Sequence, residues 1–221
     1  MNVALIPVRG GSEGIPKKNI RLMNGKPLMH WVIQAALDSY LDKVFVATDS
    51  NEIMKSAREI INHKLEIISR SPETATNIAS TESVMIEFVK NNSFDYIALI
   101  QATSPLLTAK DINEAFDILH RENADSLLSC VRQKRFLWEY DKNGALPINY
   151  DYLNRPLRQN FNGFLVENGA LYLTSRSQLI ESQSRISGKI AIHEMQQEAY
   201  HEVDEEHDWK IVEEIMRFKD Y

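Results

Sequence analysis

Cysteine is nearly absent from this chain: Cys130 is the only one in 221 residues, which excludes a disulfide-stapled scaffold and a multi-cysteine metal site. It lies in the apolar run SLLSCV, where a small buried side chain is expected rather than a nucleophile. No apolar run reaches the roughly 20 residues of a membrane span, and the opening MNVALIPV shows neither a basic leader nor a small-residue cleavage site. The expectation is a protein that is neither secreted nor membrane-bound and that works in a reducing cytoplasm. Eight glycines and seven prolines are too few for a collagenous or low-complexity chain. Positive charge is short as well: 25 Lys and Arg stand against 31 Asp and Glu, a formal net charge of −6. That balance argues against nucleic acid as a partner, because a phosphate backbone demands an extended basic face.

What is present is a globular composition, 43% hydrophobic and 25% charged, in a chain long enough to bury roughly 70% of its extended surface in one main domain. Apolar, β-branched runs recur at VALIPV (3–8), KVFVAT (43–48), LEIIS (65–69), YIALIQ (96–101) and SLLSCV (126–131), as buried strands do. Helical spacing lies between them. Leu28, Trp31, Val32 and Ala35 follow Pro27; Ile53, Ala57, Ile60 and Ile61 follow Asp49 and Ser50; Val84, Met85, Phe88 and Val89 follow Ser80 and Thr81. Thr108 and Asp111 stand in capping-box spacing before Ile112, Ala115, Phe116 and Leu119. Such alternation predicts an α/β fold with a mostly parallel sheet covered on both faces.

From 132 to 167 the rhythm stops in an aromatic, basic, turn-rich stretch that is too long for an ordinary connection. It reads as an insertion that makes a subunit contact or covers a site. A strand at 170–174, a helix near 176–183, a strand at 189–195 and a final helix from about 207 then restore the alternation.

Three segments can carry chemistry. The loop PVRGGSEGIPKKNI (7–20) leaves the first strand with three glycines, two lysines and an arginine, the makings of a phosphate cradle. It matches neither the dinucleotide fingerprint nor the Walker A pattern, and its five cations up to Lys26 face only Glu13. The turn IQATSPLLT (100–108) suits either plain turn chemistry or a ligand contact beyond the fourth strand. In YHEVDEEHDW (200–209), Glu202 and Asp204 face the same side of an extended segment, which suits either a Mg2+ ion or an acidic solvated surface.

Taken in order, VALIPVRGGSEGIPKKNI, VATDSNEI, RSPETATNIASTES, LIQATSPLLT, NRPLRQ, VENGALYL and EVDEEHDW resemble the acylneuraminate cytidylyltransferases, the CMP-sialic acid synthetases, over essentially the whole chain, with the animal-type and CMP-KDN-like branch nearest. The resemblance implies one Rossmann-like, three-layer nucleotide-diphospho-sugar transferase domain spanning 1–221, with 132–167 as a dimerisation and substrate-contact insertion. It implies transfer of CMP from CTP to the anomeric hydroxyl of a nine-carbon 2-keto sugar acid. In that family's pattern Arg9 contacts the triphosphate beside Gly10, Gly11 and Ser12, and Lys18 and Asn19 lie near the phosphates and nucleotide. Arg70, Ser80 and Thr81 line the cytidine or phosphate side, and Gln101 touches the sugar acid. Arg158 and Gln159 come from the partner subunit of a homodimer, which can pair further into a dimer of dimers, and Glu202 and Asp204 form the Mg2+ site. Arg9, Lys18 and Asp204 are the residues expected to carry catalysis.

Two positions depart from the pattern. Glu202 replaces the usual Asp, and Glu13 stands where a lysine is usual, so that either Lys17 supplies the missing positive charge or Glu13 helps to hold a metal ion against the phosphates. Rival expectations are a cytidylyltransferase for Kdo, legionaminic or pseudaminic acid, or a nucleotide-binding homologue with weakened catalysis.

Overall fold

Alternate residues of the first strand, Val3 and Leu5 against Ala4 and Ile6, are all fully buried, so this strand is covered on both faces and its continuous apolar character is required rather than incidental. The structure, a computed structural model, describes residues 1–12 and 14–218. Glu13 and residues 219–221 lie outside the described residues. The elements in chain order are β1 (Asn2–Pro7), a 3-10 turn at Lys18–Ile20, the short strands β2 (Leu22–Met23) and β3 (Lys26–Pro27), α1 (Leu28–Leu37), β4 (Lys43–Thr48), α2 (Asn51–Ala57), β5 (Leu65–Ser69), α3 (Thr81–Asn91), β6 (Tyr96–Ile100) and α4 (Ala109–Arg121). Then come β7 (Ser126–Gln133), β8 (Trp138–Asp141), β9 (Gly144–Pro147), β10 (Phe164–Ser175), α5 (Arg176–Ser182), β11 (Ile190–Met195) and α6 (Glu206–Phe218).

Seven strands form one sheet in the order β11-β7-β10-β6-β1-β4-β5. Every neighbouring pair is parallel except those made by β10, which runs antiparallel to both β6 and β7. Helices α1, α2, α4 and α6 cover one face through Val32, Ile53, Phe116, Trp209 and Met216 over Ala4, Ile6, Val46 and Ile100. On the other face α3 and α5 place Val84, Met85, Phe88 and Leu179 over Leu5, Phe45, Leu99 and Tyr172. Phe45 and Phe88 meet edge to face at 4.9 Å. Each such fully buried side chain stabilises the fold by about 1.5–3 kcal/mol relative to exposure. The result is the expected mostly parallel α/β sheet between two helical layers.

Local signals place most helix starts. Ser50, Ser80 and Thr108 each accept a backbone N–H of the first turn, and Thr108 and Asp111 form the capping box in both directions. One correction concerns Ile61: α2 stops at Ala57 and Ile61 is 98% exposed, because the chain turns through Ile60 and Asn62 into β5 instead of completing another helical turn. The insertion also has tighter limits than its composition implies. Gln133 pairs with Phe164 and Cys130 with Glu167, so β7 and β10 extend into the stretch and only 134–163 leave the sheet. That excursion holds the β8–β9 hairpin and an aromatic cluster in which Phe136 lies 4.2 Å from Tyr150 and 4.8 Å from Phe161, with the Arg155 guanidinium 4.4 Å over the Phe136 ring. Cys130 is buried, and burial together with Glu167 and Glu194 pushes its thiol up to about 11, the profile of a core residue. No helix among the described residues is long and apolar enough to cross a membrane.

One buried polar pair crosses the core. His193 of β11, 3% exposed, lies with its Nε2 3.2 Å from Asp111 Oδ1 at the start of α4. Burial pushes the Asp111 carboxyl up, but the hydrogen bonds from His193 and Thr108 outweigh it and hold the group below its ordinary value. A carboxyl depressed by folding contributes stability that is present above its unfolded pKa and is lost as pH falls through the folded one. Asp111→Asn is therefore expected to lower stability at pH 7 and to flatten the acid limb below about pH 4, as read by urea denaturation at a series of pH values; an unchanged acid limb would show that the pair has no such linkage.

Candidate active site

Ligands of open α/β sheets bind beyond the carboxyl ends of the strands, and here the loops after β1, β5 and β6 open there around a cavity of about 510 Å3. The β1 loop contributes Arg9, Ser12, Gly14, Lys18 and Asn19; the segment from β5 to α3 contributes Arg70, Asn77, Ser80 and Thr81; the β6 loop contributes Gln101 and Thr103. Asp204 and Glu205, from the segment before α6, close the ring. Nine residues singled out in the sequence thus share one cavity although they lie up to 195 positions apart.

Each is held in a definite way. Lys18 Nζ donates to Asp204 Oδ1 at 3.0 Å and to the Val203 carbonyl at 2.8 Å, while Val203 N donates to the Thr103 carbonyl at 2.7 Å. These bonds stitch the C-terminal segment to both the β1 and the β6 loops. The buried Asn19 amide donates to the Arg9 carbonyl at 3.2 Å, and Arg9 Nη1 reaches Asn77 Oδ1 at 2.6 Å. Two glycines are required by close approach. A Cβ on Gly10 would sit 2.9 Å from Ser50 Cβ, and one on Gly14 only 2.4 Å from the Asp204 carbonyl oxygen. Gly10 N donates to Asp49 Oδ1 at 2.9 Å, which packs the loop on the β4–α2 junction.

Arg70 is positioned through α3. Glu87 accepts from Ser71 N at 2.9 Å and from Thr74 Oγ1 at 2.6 Å, and the Thr74 carbonyl accepts from the Arg70 guanidinium. Burial pushes the Arg70 guanidinium below its ordinary range, with Asp49 and Glu87 opposing that shift. Its Nε is buried with no partner in the protein, an unused donor at the cavity wall. Arg9, Lys18 and Arg70 thus face a cavity bearing two carboxylates, a balance suited to a small polyanion.

Other expected residues are not gathered in. Gly10 lies at the rim, in a shallow recess with Arg9, Lys17 and Glu52, and Gly11 is exposed beside Asn77. Arg158 and Gln159 are exposed on the excursion and do not line the cavity of their own chain. Lys17 Nζ pairs with Glu52 at 2.8 Å, both side chains largely exposed, at the rim beside Arg9 and Gly10. The proposed role of Glu13 falls on a residue outside the described ones. Residues that sequence reasoning passed over are Asn77, Asp49 and Glu87. Asn77 lies inside RSPETATNIASTES and Asp49 just before α2 with no local pattern to mark them as loop partners, and none ties Glu87 of a helix to a turn 13 residues earlier.

Comparison with known proteins decides the family. Residues 3–217 match the cytidylyltransferase family model. The chain belongs to the cytidylyltransferase family. It is 38% identical over 222 residues to an N-acylneuraminate cytidylyltransferase of Oncorhynchus mykiss and 39% identical to N-acylneuraminate cytidylyltransferase A of Danio rerio, with 97% of this chain covered in each case. It is 28% identical to an N-acylneuraminate cytidylyltransferase of Streptococcus agalactiae serotype III. The chain spans about half the length of the curated relatives it matches, 50% and 51% for the two fish proteins. In fold it is similar to a CMP:2-keto-3-deoxy-manno-octonic acid synthetase solved with CTP, at TM-score 0.71 and 17% identity with 99% of both chains covered. It is also similar to the 4-diphosphocytidyl-2C-methyl-D-erythritol synthase of Anaerococcus prevotii, at TM-score 0.68 and 9% identity over 98% of this chain and 96% of that one. The expected nucleotidyltransferase architecture is therefore the one observed.

Cytidylyltransferases of this kind generally work with a divalent metal, and the acidic segment can be tested for fit. Glu202 keeps a solvent-exposed edge while its carboxylate lies against Gly169. Burial raises its pKa above the usual carboxylate range, and Asp204 and Asp208 push in the same direction against Lys18. Asp204 lines the cavity and Glu202 does not; as two hard oxygen donors with crowded negative charge they suit a divalent ion at its edge. Among the described residues no three His, Cys, Asp or Glu side chains converge on one point, so phosphate oxygens and water would complete the shell.

The tight fit of Gly14 gives a direct check on this assembly. Gly14→Ala forces the β1 loop away from backbone that has no room to yield, and it is expected to destabilise the protein by about 1–3 kcal/mol, measured by chemical denaturation. An unchanged midpoint would show that the loop and the 203–205 segment are not in contact.

Proposed function

We propose that this cytidylyltransferase transfers CMP from CTP to the anomeric hydroxyl of a nine-carbon 2-keto sugar acid, N-acetylneuraminate or KDN, and releases pyrophosphate. The observation that carries this reading is the convergence of Arg9, Lys18 and Arg70 on a cavity faced by Asp204 and reached by Gln101. Phosphoryl-type transfer needs neutralisation and in-line placement more than a protein nucleophile. The printed names of the relatives support the acid class.

The anomeric oxygen attacks the α-phosphorus, the bond from that phosphorus to the bridging oxygen of the β-phosphate breaks, and the hydroxyl proton passes to solvent. Arg9 and Lys18 hold the triphosphate beside the backbone of Gly10, Gly11 and Ser12, and Lys18 stays fixed through Val203. Asn19 keeps the loop closed on Arg9. Arg70, Ser80 and Thr81 receive the cytidine end, and Gln101 orients the sugar acid. Glu202 and Asp204 hold Mg2+, which when bound supplies countercharge to the phosphate oxygens. The excursion at 134–163 forms the homodimer contact through exposed residues such as Tyr140, Leu153 and Leu157. It carries Arg158 and Gln159 to the partner's site, where the guanidinium meets the sugar carboxylate. The buried thiol of Cys130 fits work in a reducing cytoplasm.

The test is pyrophosphate release from CTP with a panel of eight- and nine-carbon keto acids. Nine-carbon acids are expected to be turned over, and ATP or GTP to support at most a tenth of the CTP rate, a discrimination of about 1.4 kcal/mol. Equal rates with ATP would overturn the reading, and a preference for an eight-carbon acid would transfer it to that substrate. Shared sites predict a second result. Arg158→Ala and Lys18→Met chains, each inactive alone, should regain about a quarter of wild-type activity when unfolded together and refolded, because one of the two sites in each mixed dimer is intact. No recovery would place Arg158 outside the partner's site.

A further inference from the structure

The strand that breaks the parallel order, β10, also breaks its own ladder. Glu167 pairs with Cys130 and Tyr172 with Leu128, so four residues bulge out between those rungs against one residue, Ser129, of β7. The bulge is clasped from below by two buried side chains, Ser129 and Asn168, 1% and 4% exposed. Ser129 Oγ donates to Asn168 Oδ1 at 2.7 Å and accepts from Leu171 N at 3.0 Å. The Asn168 amide nitrogen donates to the Ala199 carbonyl at 2.8 Å and touches Met195 Sδ at 3.3 Å. Ala199 belongs to the 3-10 turn Gln197–Tyr200, which leads directly into Glu202 and Asp204.

Two neighbours of Asn168 in the bulge touch Gln101 and Glu202. The Ala170 carbonyl accepts from Gln101 N at 3.2 Å. Gly169, at φ +70°, presents its bare Cα to Glu202, where a Cβ would stand 3.0 Å from Oε2. One asparagine is thus bonded to the approach of the carboxylate pair, while the residues that follow it hold Gln101.

We infer that Asn168, clasped by Ser129, is a positioning residue that sets the carboxylate pair Glu202–Asp204 in register with Gln101. The inference rests on the function proposed above. Asn168 touches neither nucleotide nor acid in this role; its amide is spent wholly on protein partners. Only an amide serves, because the site needs an acceptor for Ser129 and a donor for Ala199 on one short side chain. Asn168 is bonded to Ser129, Met195 and Ala199 and to neither of the loops after β1 and β5 that supply the contacts to the nucleotide end.

The experiment uses the full chain with Mn2+ as the metal probe, whose binding in the presence of CTP is followed by electron paramagnetic resonance. Asn168→Asp keeps the shape but removes the donor. It is expected to weaken Mn2+ binding at least tenfold and to lower kcat at least tenfold, while KM for CTP at saturating metal changes less than twofold. Ser129→Ala, which alters no charge and keeps the core packed, should move the same quantities in the same direction by a smaller factor, and it decides the matter if Asn168→Asp does not fold. Leu179→Ala, destabilising from the opposite helical layer, should leave Mn2+ affinity and the split between kcat and KM unchanged. The inference is overturned if the folded clasp variants bind Mn2+ as the wild type does, or if Leu179→Ala shifts them equally. A wild-type protein that binds no Mn2+ with CTP and releases no pyrophosphate would instead overturn the functional reading itself.

Discussion

One ammonium group ties the two ends of the chain together. Lys18, on the loop that follows the first strand, reaches across the mouth of the cavity to Asp204 and the Val203 carbonyl, 185 residues away, with only 12% of its side chain exposed. A charge so enclosed must be paired and hydrogen-bonded to be tolerated, and here it is both. The contact with the Asp204 carbonyl forbids a side chain at Gly14, and the neighbouring Val203 amide locks the segment to the β6 loop. The acidic segment is therefore bonded to the loops after β1 and β6 at once, and the charge balance of the cavity depends on three segments rather than on one loop.

The sheet makes this possible by keeping its polar work at one edge. Both faces of β1, β4 and β6 are apolar and covered, so the polar groups of the cavity belong to loops, where backbone and water can satisfy them. Among the polar groups that enter the core, His193 with Asp111 and Ser129 with Asn168 are matched pairs. Each stands next to a segment that leads to the cavity: Asp111 caps the helix that follows the TSP turn, and Asn168 anchors the turn before Glu202.

The strands were legible because two-sided burial leaves continuous apolar runs, and the cavity residues were legible because glycines and cations cluster after β1. Long-range pairings were less so. Arg132 and Gln133 look like loop residues by polarity, yet they continue β7 because β10 returns beside them. Ile61 obeys the helical period of its neighbours but has no sheet beneath it. Lys17 offers a cation by composition, and only the fold reveals that Glu52 engages it. Glu87 and the Asn168 clasp were invisible for the same reason: their partners are chosen by topology and not by spacing.

The reversed strand β10 has one more consequence. Because Gln133 and Phe164 are partners on adjacent antiparallel strands, the whole excursion between them is, in terms of connectivity, the tip of an oversized hairpin. Its length is then uncoupled from the sheet. Residues 134–163 add length beyond the last rung, Gln133 with Phe164, without entering the register of the strands, so the body and the arm answer to separate constraints of length.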